Sequence, residues 1–374
     1  MAGVYVHIPF CKQKCHYCDF HFSTNLSRQD EMVDAICQEI ILRKEYLADN
    51  KIETIYFGGG TPSLLSQNQI TKILNTISEC FDTLNVEEIT LEANPDDLSK
   101  DVLKAFYAAG VNRLSIGIQS FDEDVLQQMN RAHNSTEATE SIRLAQQFGF
   151  SNLTADLIYG IPEKPLSYWK DQVQQMIDLG VKHISAYCLT IEQNTVFNHL
   201  ENKGELNLPN DEESLEQFNY LVNTLAENGY EQYEISNFAK QGYISKHNSA
   251  YWQGKSYLGV GPSAHSYDGN SRSWNIRNNS QYIKSLQKSE IPLETEVLTF
   301  KDKFNDYVLT RLRTKWGLLK EDLPELLGAI NHSEFSQIIE SHISRGCLKE
   351  TDQAYVLTPE GKFIADKLAA DLFV

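Results

Sequence analysis

Nowhere in these 374 residues does an apolar run approach the ~20 residues needed to span a bilayer. The chain does not open on a basic stretch followed by an apolar one, so no secretory leader is read and the cytoplasm is the expected location. Positive charge is scarce, with 33 Lys and Arg against 51 Asp and Glu and a net charge of −18. That balance argues against nucleic acid as a partner, which needs a basic footprint, and gives no support to attraction by an anionic membrane surface. No GxxxxGK followed by Ser or Thr is found, which removes the commonest phosphate loop. Internal repeats and low-complexity segments are also missing. What remains is an ordinary globular composition, and the length predicts two domains with ample core.

Cysteine is thinly spread except at one place. Three of the seven cysteines fall within eight residues, Cys11-Lys12-Gln13-Lys14-Cys15-His16-Tyr17-Cys18, directly after strand-like Val4-Tyr5-Val6-His7-Ile8 and Pro9. Thiolates packed so closely can converge on one soft metal centre. Structural zinc takes four ligands; no second CxxC pair or His-x3-His follows, although one distant residue could complete such a site. A four-iron cluster takes four thiolates, so three would hold it by three corners and leave one iron open to an outside ligand. A disulfide is disfavoured in a reducing compartment, and the polar Lys12, Gln13, Lys14 and His16 argue against an inert buried trio.

From the N-terminus, apolar strands alternate with amphipathic helices. Strands are expected at Val4–His7, Thr54–Phe57, Glu88–Glu92, Arg113–Ile118, Asn152–Ile158 and His183–Cys188. Helices are expected at Asp30–Leu47, Gln67–Cys80, Lys100–Ala109, Glu123–Met129, Thr136–Phe148 and Ser167–Leu179. Gly110 and Gly180 stop two of them. Cys37 reads as a packing residue, and Cys80, Cys188 and Cys347 as structural thiols. Six alternations predict an α/β fold around a parallel sheet, barrel-like or doubly wound, with chemistry at the carboxyl ends of the strands. There stand Gly58-Gly59-Gly60-Thr61-Pro62, whose backbone can approach a ligand closely and offer it N–H groups. Glu92, Gln119 and Asp156 follow at later strand ends, and Arg131 comes after the fourth strand. Singly, these read as caps or surface charges; together they make one polar mouth suited to a polar cofactor.

Tyr5-Val6-His7-Ile8-Pro9-Phe10 followed by Cys11, Cys15, Tyr17 and Cys18 resembles the cluster motif of the radical S-adenosylmethionine (SAM) superfamily. The resemblance is to the branch holding oxygen-independent coproporphyrinogen III oxidases and heme chaperones, and it runs over nearly the whole chain. It implies a partial (β/α)6, TIM-like barrel over residues 1–236, a connecting region over 237–300 and a smaller α+β winged-helix-like domain over 301–374. It implies that Cys11, Cys15 and Cys18 hold a 4Fe-4S cluster whose open iron binds the amino and carboxylate groups of SAM. In the family an electron passed through that cluster cleaves SAM to a 5′-deoxyadenosyl radical. Tyr5, Gly59, Gly60, Thr61, Glu92, Gln119, Arg131 and Asp156 match the family's SAM-contacting positions. In the oxidases some of these contact a second SAM, which stays open here.

After Cys188 the pattern changes. Thr190–Leu208 reads as loop, Asp211–Glu227 as a helix and Glu231–Ser236 as a strand. A stretch rich in Asn, Tyr, Gly and Ser follows, containing His247-Asn248-Ser249-Ala250-Tyr251-Trp252. A histidine beside large aromatics suits a flat ligand, since imidazole binds heme iron and rings pack on a macrocycle. On residue chemistry alone a satisfied histidine with aromatics filling core is the plainer reading. The resemblance makes His247, Asn248, Tyr251 and Trp252 candidate heme contacts. Helices at Asp302–Trp316, Leu318–Ile330 and Ser333–Ser344, strands at Leu348–Glu350 and Ala354–Leu357, and a last helix capped by Thr358 with Pro359 at its first position predict a winged-helix-like end. It lacks the basic cluster that DNA binding needs, so a lid or docking surface is expected.

Within the branch, the oxidases carry one more cysteine two residues after the third ligand, where this chain has Phe20, and a segment ahead of the motif that is not seen here. The expected function is therefore a chaperone that carries heme to acceptor hemoproteins, among them those of respiratory chains. The alternatives are a coproporphyrinogen oxidase or another radical enzyme on a tetrapyrrole. A flavodoxin- or ferredoxin-like reductant is expected if SAM is cleaved, and a homodimer would fit the family.

Overall fold

The computed structural model describes residues 2–328 and 332–374. In chain order the elements are β1 (Ala2–Ile8), α1 (Gln29–Leu42), β2 (Ile52–Gly59), α2 (Gln67–Cys80), β3 (Glu88–Ala93), α3 (Lys100–Ala109), β4 (Arg113–Gln119), α4 (Glu123–Gln128), α5 (Ser135–Gln147), β5 (Leu153–Tyr159), α6 (Leu166–Asp178) and β6 (His183–Cys188). Next come α7 (Val196–Asn202), α8 (Asp211–Glu227), β7 (Glu231–Glu234), β8 (Asn237–Ala239), α9 (Lys246–Trp252), β9 (Tyr257–Val260), β10 (His265–Tyr267), β11 (Ser271–Asn275), α10 (Asn279–Leu286) and β12 (Leu293–Val297). The C-terminal unit holds α11 (Phe300–Leu312), β13 (Leu318–Leu319), α12 (Leu323–Leu327), α13 (His332–Ser344), β14 (Leu348–Glu350), β15 (Ala354–Leu357), α14 (Pro359–Phe363) and α15 (Ala365–Asp371).

β1 to β6 lie side by side in parallel, as the six alternations predict, and form the partial (β/α)6 barrel. Their sequences alternate rather than running continuously apolar. Val4, Val6, Ile55, Phe57, Leu91, Leu114, Ile116, Ala155 and Ile184 share one buried cluster with helix residues such as Ile36, Ile73, Phe106 and Met176. The opposite parity carries Tyr5, Tyr56, Glu92, Arg113, Asp156 and His183. Successive side chains on a strand point to opposite faces, so the helices cover an apolar face and the other face is lined with polar groups. Parallel strands buried by helices on both sides would read as unbroken apolar runs; here the polar parity marks the inside of an open barrel.

Residues 237–300, expected as a connecting region, contribute strands to the same sheet, which runs β12-β11-β10-β9-β1-β2-β3-β4-β5-β6-β8-β7. β9 pairs in parallel with β1, and β10, β11 and β12 continue antiparallel outward. A buried ion pair holds this extension. Glu39 of α1 and Arg43, just past its end, lie 3.1 Å apart. Arg43 donates to the carbonyl of Gly259 at 3.0 Å and to Ser266 at 3.0 Å, while Asn275 donates to Glu39 at 2.7 Å. Gly259 is required by the close packing, since a Cβ there would lie 1.9 Å from the carbonyl oxygen of His265.

Other expectations shift at their ends. α1 stops at Leu42 rather than Leu47, with Arg43 as its C-cap outside helical geometry. The expected loop Thr190–Leu208 contains α7, capped by the Thr195 hydroxyl. The expected helix Leu318–Ile330 begins instead as β13, paired with β15, which gives the wing a third strand. α12 starts only at Leu323 and carries Pro324 in its first turn, where a missing N–H costs nothing. The far end of that expectation, Ile330, lies outside the described residues. Phe304, Val308, Leu318, Ile339, Leu348, Leu357 and Leu368 form the core of the C-terminal unit, separate from that of the barrel.

Candidate cluster and cofactor site

The cysteine loop leaves β1 and is closed at its neck by two backbone bonds, Cys11 N–H to Ser23 O at 3.1 Å and Ser23 N–H to Pro9 O at 2.9 Å. Its far side rests on the end of α4. His16 N–H donates to Met129 O at 3.0 Å, Asn130 donates to Lys14 O at 2.7 Å, and Gln13 donates to Asn130 O at 2.9 Å. Lys12 pairs with Asp96 at 2.7 Å and also with Asp97. Two of the three sulfurs receive hydrogen bonds: Thr61 donates to Cys11 Sγ at 3.3 Å and Arg131 to Cys15 Sγ at 3.4 Å.

The donor set fits a cluster better than a single ion. Among the described residues no three His, Cys, Asp or Glu side chains converge as one metal ion requires, yet Cys11, Cys15 and Cys18 lie within electrostatic reach of one another. Three thiols in one loop are the ligand type of an iron–sulfur cluster. Burial pushes the Cys11 thiol up to about 11 and raises that of Cys18, so metal loading must displace protons from the loop.

Above the loop, Gly58, Gly59 and Gly60 fold back over the end of β1. A Cβ at Gly60 would lie 2.6 Å from Phe10 O and 2.9 Å from Ile8 O; one at Gly59, where φ is +110°, would strike the His7 ring. The glycines are therefore demanded by the chain's own packing. Their N–H groups are also engaged internally, against expectation: Gly59 N–H donates to Glu92 at 3.1 Å and Gly60 N–H to Ile8 O at 2.9 Å. The loop shapes the mouth rather than offering these donors to a ligand.

Glu92 and Asp156 stand on the inner face and are half-buried. Tyr56 donates to Glu92 at 2.7 Å. Burial raises the Glu92 carboxyl to about 7, with the nearby Asp156 charge adding to the rise, and burial raises Asp156 to about 6. Two carboxylates desolvated together favour a cationic or hydroxyl-rich ligand. Gln119 ends β4 in the left-handed region, φ 66°, at a break in register with β5.

Arg131 is no surface charge. It donates to Asn94 at 2.8 Å, to Gly117 O at 2.8 Å and to Tyr17 at 3.3 Å, besides Cys15. It thereby links β3, β4 and the cysteine loop. Gly117 makes room, since a Cβ there would stand 3.3 Å from the guanidinium. Tyr56, Asn94 and Gly117 were not singled out from sequence. Tyr56 and Gly117 share the inward parity of the predicted site residues on their strands, the one signal that could have found them; Asn94 follows at the β3 end.

The His247 segment divides. His247 is 1% exposed and both ring nitrogens are engaged, Nδ1 with the Thr54 hydroxyl and Nε2 with the Tyr251 hydroxyl, each at 2.8 Å. Its ring stacks on Tyr56 at 5.0 Å, and burial lowers its pKa to about 3. His247, expected as a candidate axial ligand or contact, is a satisfied histidine in this structure, inside the barrel with its helix start bonded to Glu88. Asn248 spends its N–H on the Ser245 cap. Tyr251 and Trp252 instead line a cavity of about 1100 Å³ between the sheet extension and the C-terminal unit, which reaches Tyr5 and Phe20. Of the thiols read as structural, Cys188 is exposed, Cys80 is partly so and Cys347 is buried.

Comparison with known proteins agrees with this geometry. The family profile described as Radical SAM superfamily matches residues 5–176. A heme chaperone HemW of Bacillus subtilis is 34% identical over 98% of this chain and 98% of its own length. Those of Lactococcus lactis (34%, covering 96% and 94%) and Haemophilus influenzae (32%, covering 98% and 96%) are similar. The solved coproporphyrinogen III oxidase HemN of Escherichia coli, a radical SAM enzyme, superposes with a TM-score of 0.85 at 23% identity, over all of this chain and 90% of that one. A cysteine loop at the mouth of a six-stranded half-barrel, matched from end to end by these relatives, places the chain in the HemW family of the radical SAM superfamily.

Proposed function

We propose that this protein is a heme chaperone built on a radical SAM scaffold, acting in a reducing cytoplasm and passing heme to acceptor hemoproteins. The observation that carries the reading is the end-to-end match, at 34% identity, to a relative named as a heme chaperone. Phe20, 68% exposed, stands where the oxidase resemblance calls for cysteine. Cys11, Cys15 and Cys18 would hold the cluster. Tyr5, Gly59, Gly60, Thr61, Glu92, Gln119, Arg131 and Asp156 would surround SAM. Bound together, cluster and SAM supply one-electron reduction and radical chemistry. The chain's own part is to offset the cationic sulfonium with Glu92 and Asp156 and to brace the cysteine loop through Arg131 and Thr61.

The second reading, decarboxylation of coproporphyrinogen III, is favoured by the shared fold alone. The test is anaerobic reconstitution with iron and sulfide, then parallel incubation with heme, and with coproporphyrinogen III, SAM and reductant. Stable heme binding without decarboxylated product is expected. Protoporphyrinogen IX formed with consumption of SAM would overturn the chaperone reading.

A further inference from the structure

The 1100 Å³ cavity between β9–β11 and α11–α12 is a built site that the His247 segment alone does not explain. Its aromatic walls include Tyr251, Trp252, Tyr257 and Tyr307. Its lining carries Lys255, Arg272, Arg277, Lys303 and Arg311 beside the carboxylates of Asp19, Asp306, Asp322 and Glu325. Arg272 is paired with Asp306. Lys303 donates to Asn270 at 2.7 Å and Arg277 to the carbonyl of Asp19 at 3.3 Å, so neither is neutralised by a carboxylate among the described residues. Arg311 is 8% exposed with its Nε unpartnered, and the indole N–H of Trp252 is also buried without a partner. Buried donors are normally satisfied, and these two have no partner within the protein.

Three histidines line the same space, and they are not equivalent. His7 is tied to the carbonyl of His21 at 3.0 Å, and His21 to Asn279 at 2.7 Å. His265, on β10, is exposed and has no hydrogen bond to either ring nitrogen among the described residues; its ring lies 6.1 Å from that of Trp274. A neutral, unengaged imidazole on a cavity wall is the form that ligates iron.

We infer that this cavity binds an iron porphyrin with His265 as axial ligand and with its carboxylates held by Arg277, Lys303 and Arg311. The inference rests on the heme-binding reading above and moves the iron ligand from His247 to His265. Aromatic walls take the macrocycle faces, and cations without carboxylate partners take the anionic edge.

The test titrates ferric heme, and separately iron-free protoporphyrin IX, into the anaerobically reconstituted full-length protein and its variants. His265→Ala is expected to weaken ferric heme at least tenfold and shift its Soret band, with added imidazole restoring the wild-type spectrum. The same variant should bind iron-free protoporphyrin as wild type does, whereas Arg277→Ala with Lys303→Ala should weaken both. A wild-type Soret band and affinity in His265→Ala would overturn the inference while leaving heme binding standing. No heme binding by the wild-type protein would overturn both readings.

Discussion

The half-buried carboxylates of the inner face predict a steep pH dependence for the cofactor. Glu92 titrates near 7 and Asp156 near 6 in the ligand-free protein, and a cationic sulfonium binds best when both are ionised. Between pH 8 and pH 6 the ionised fraction of Glu92 falls roughly tenfold and that of Asp156 roughly twofold, so linkage predicts a loss of SAM affinity of about twentyfold, or ~1.8 kcal/mol. The sign in the ligand-free protein is opposite. A carboxylate whose folded pKa exceeds its unfolded value contributes stability at low pH that is lost as pH rises through the folded pKa. Across pH 5 to 7, then, these two groups lower stability without ligand as pH rises. Calorimetric titration of SAM into reconstituted protein at pH 6, 7 and 8 measures the effect, with Glu92→Gln as control, expected to keep only the roughly twofold part due to Asp156. An affinity flat across this range would refute the argument. So would a twentyfold fall that survives in Glu92→Gln, because the proton would then belong to the ligand.

Replacing Cys11, Cys15 and Cys18 together with serine should abolish the iron–sulfur absorbance after reconstitution while heme still binds, read by visible spectra of the same samples. Gly60→Ala puts a methyl against the Phe10 and Ile8 carbonyls; a cost of about 1–3 kcal/mol in urea unfolding and faster iron loss are expected. Glu39→Gln leaves Arg43 buried without its counter-charge and should cost about 3–5 kcal/mol, measured by denaturant midpoint. His247→Ala strands the hydroxyls of Thr54 and Tyr251 and should cost about 2–4 kcal/mol. The heme spectrum of that variant should keep its axial-ligand signature, and a lost signature would restore His247 as the ligand.

Local chemistry explains which elements were legible. α2, α3 and α8 lie where the sequence predicts them, to the residue, because each carries its own boundary. Ser66 and Asn210 begin capping boxes, and Gly110 ends α3 at φ +100°. β9 to β12 were not legible. They are short, and their pairing depends on Glu39 and Arg43, more than two hundred residues away in the chain. The cysteines and strand-end carboxylates stood out by spacing and position. Arg131 takes its place partly because Gly117 brings no side chain against its guanidinium. The satisfaction of His247 comes from Thr54 on a distant strand, which no local pattern announces.

Tyr5 belongs at once to the strand that carries the cysteine loop and to the wall of the large cavity. Tyr56 stacks on Tyr5 at 6.0 Å and on His247 at 5.0 Å, and donates to Glu92; His247 in turn bonds to Tyr251 on the cavity wall. The two spaces thus share a wall and a chain of side-chain contacts, the route by which occupants of both would be coupled. Whatever factor an occupant of one imposes on affinity in the other must be returned in full.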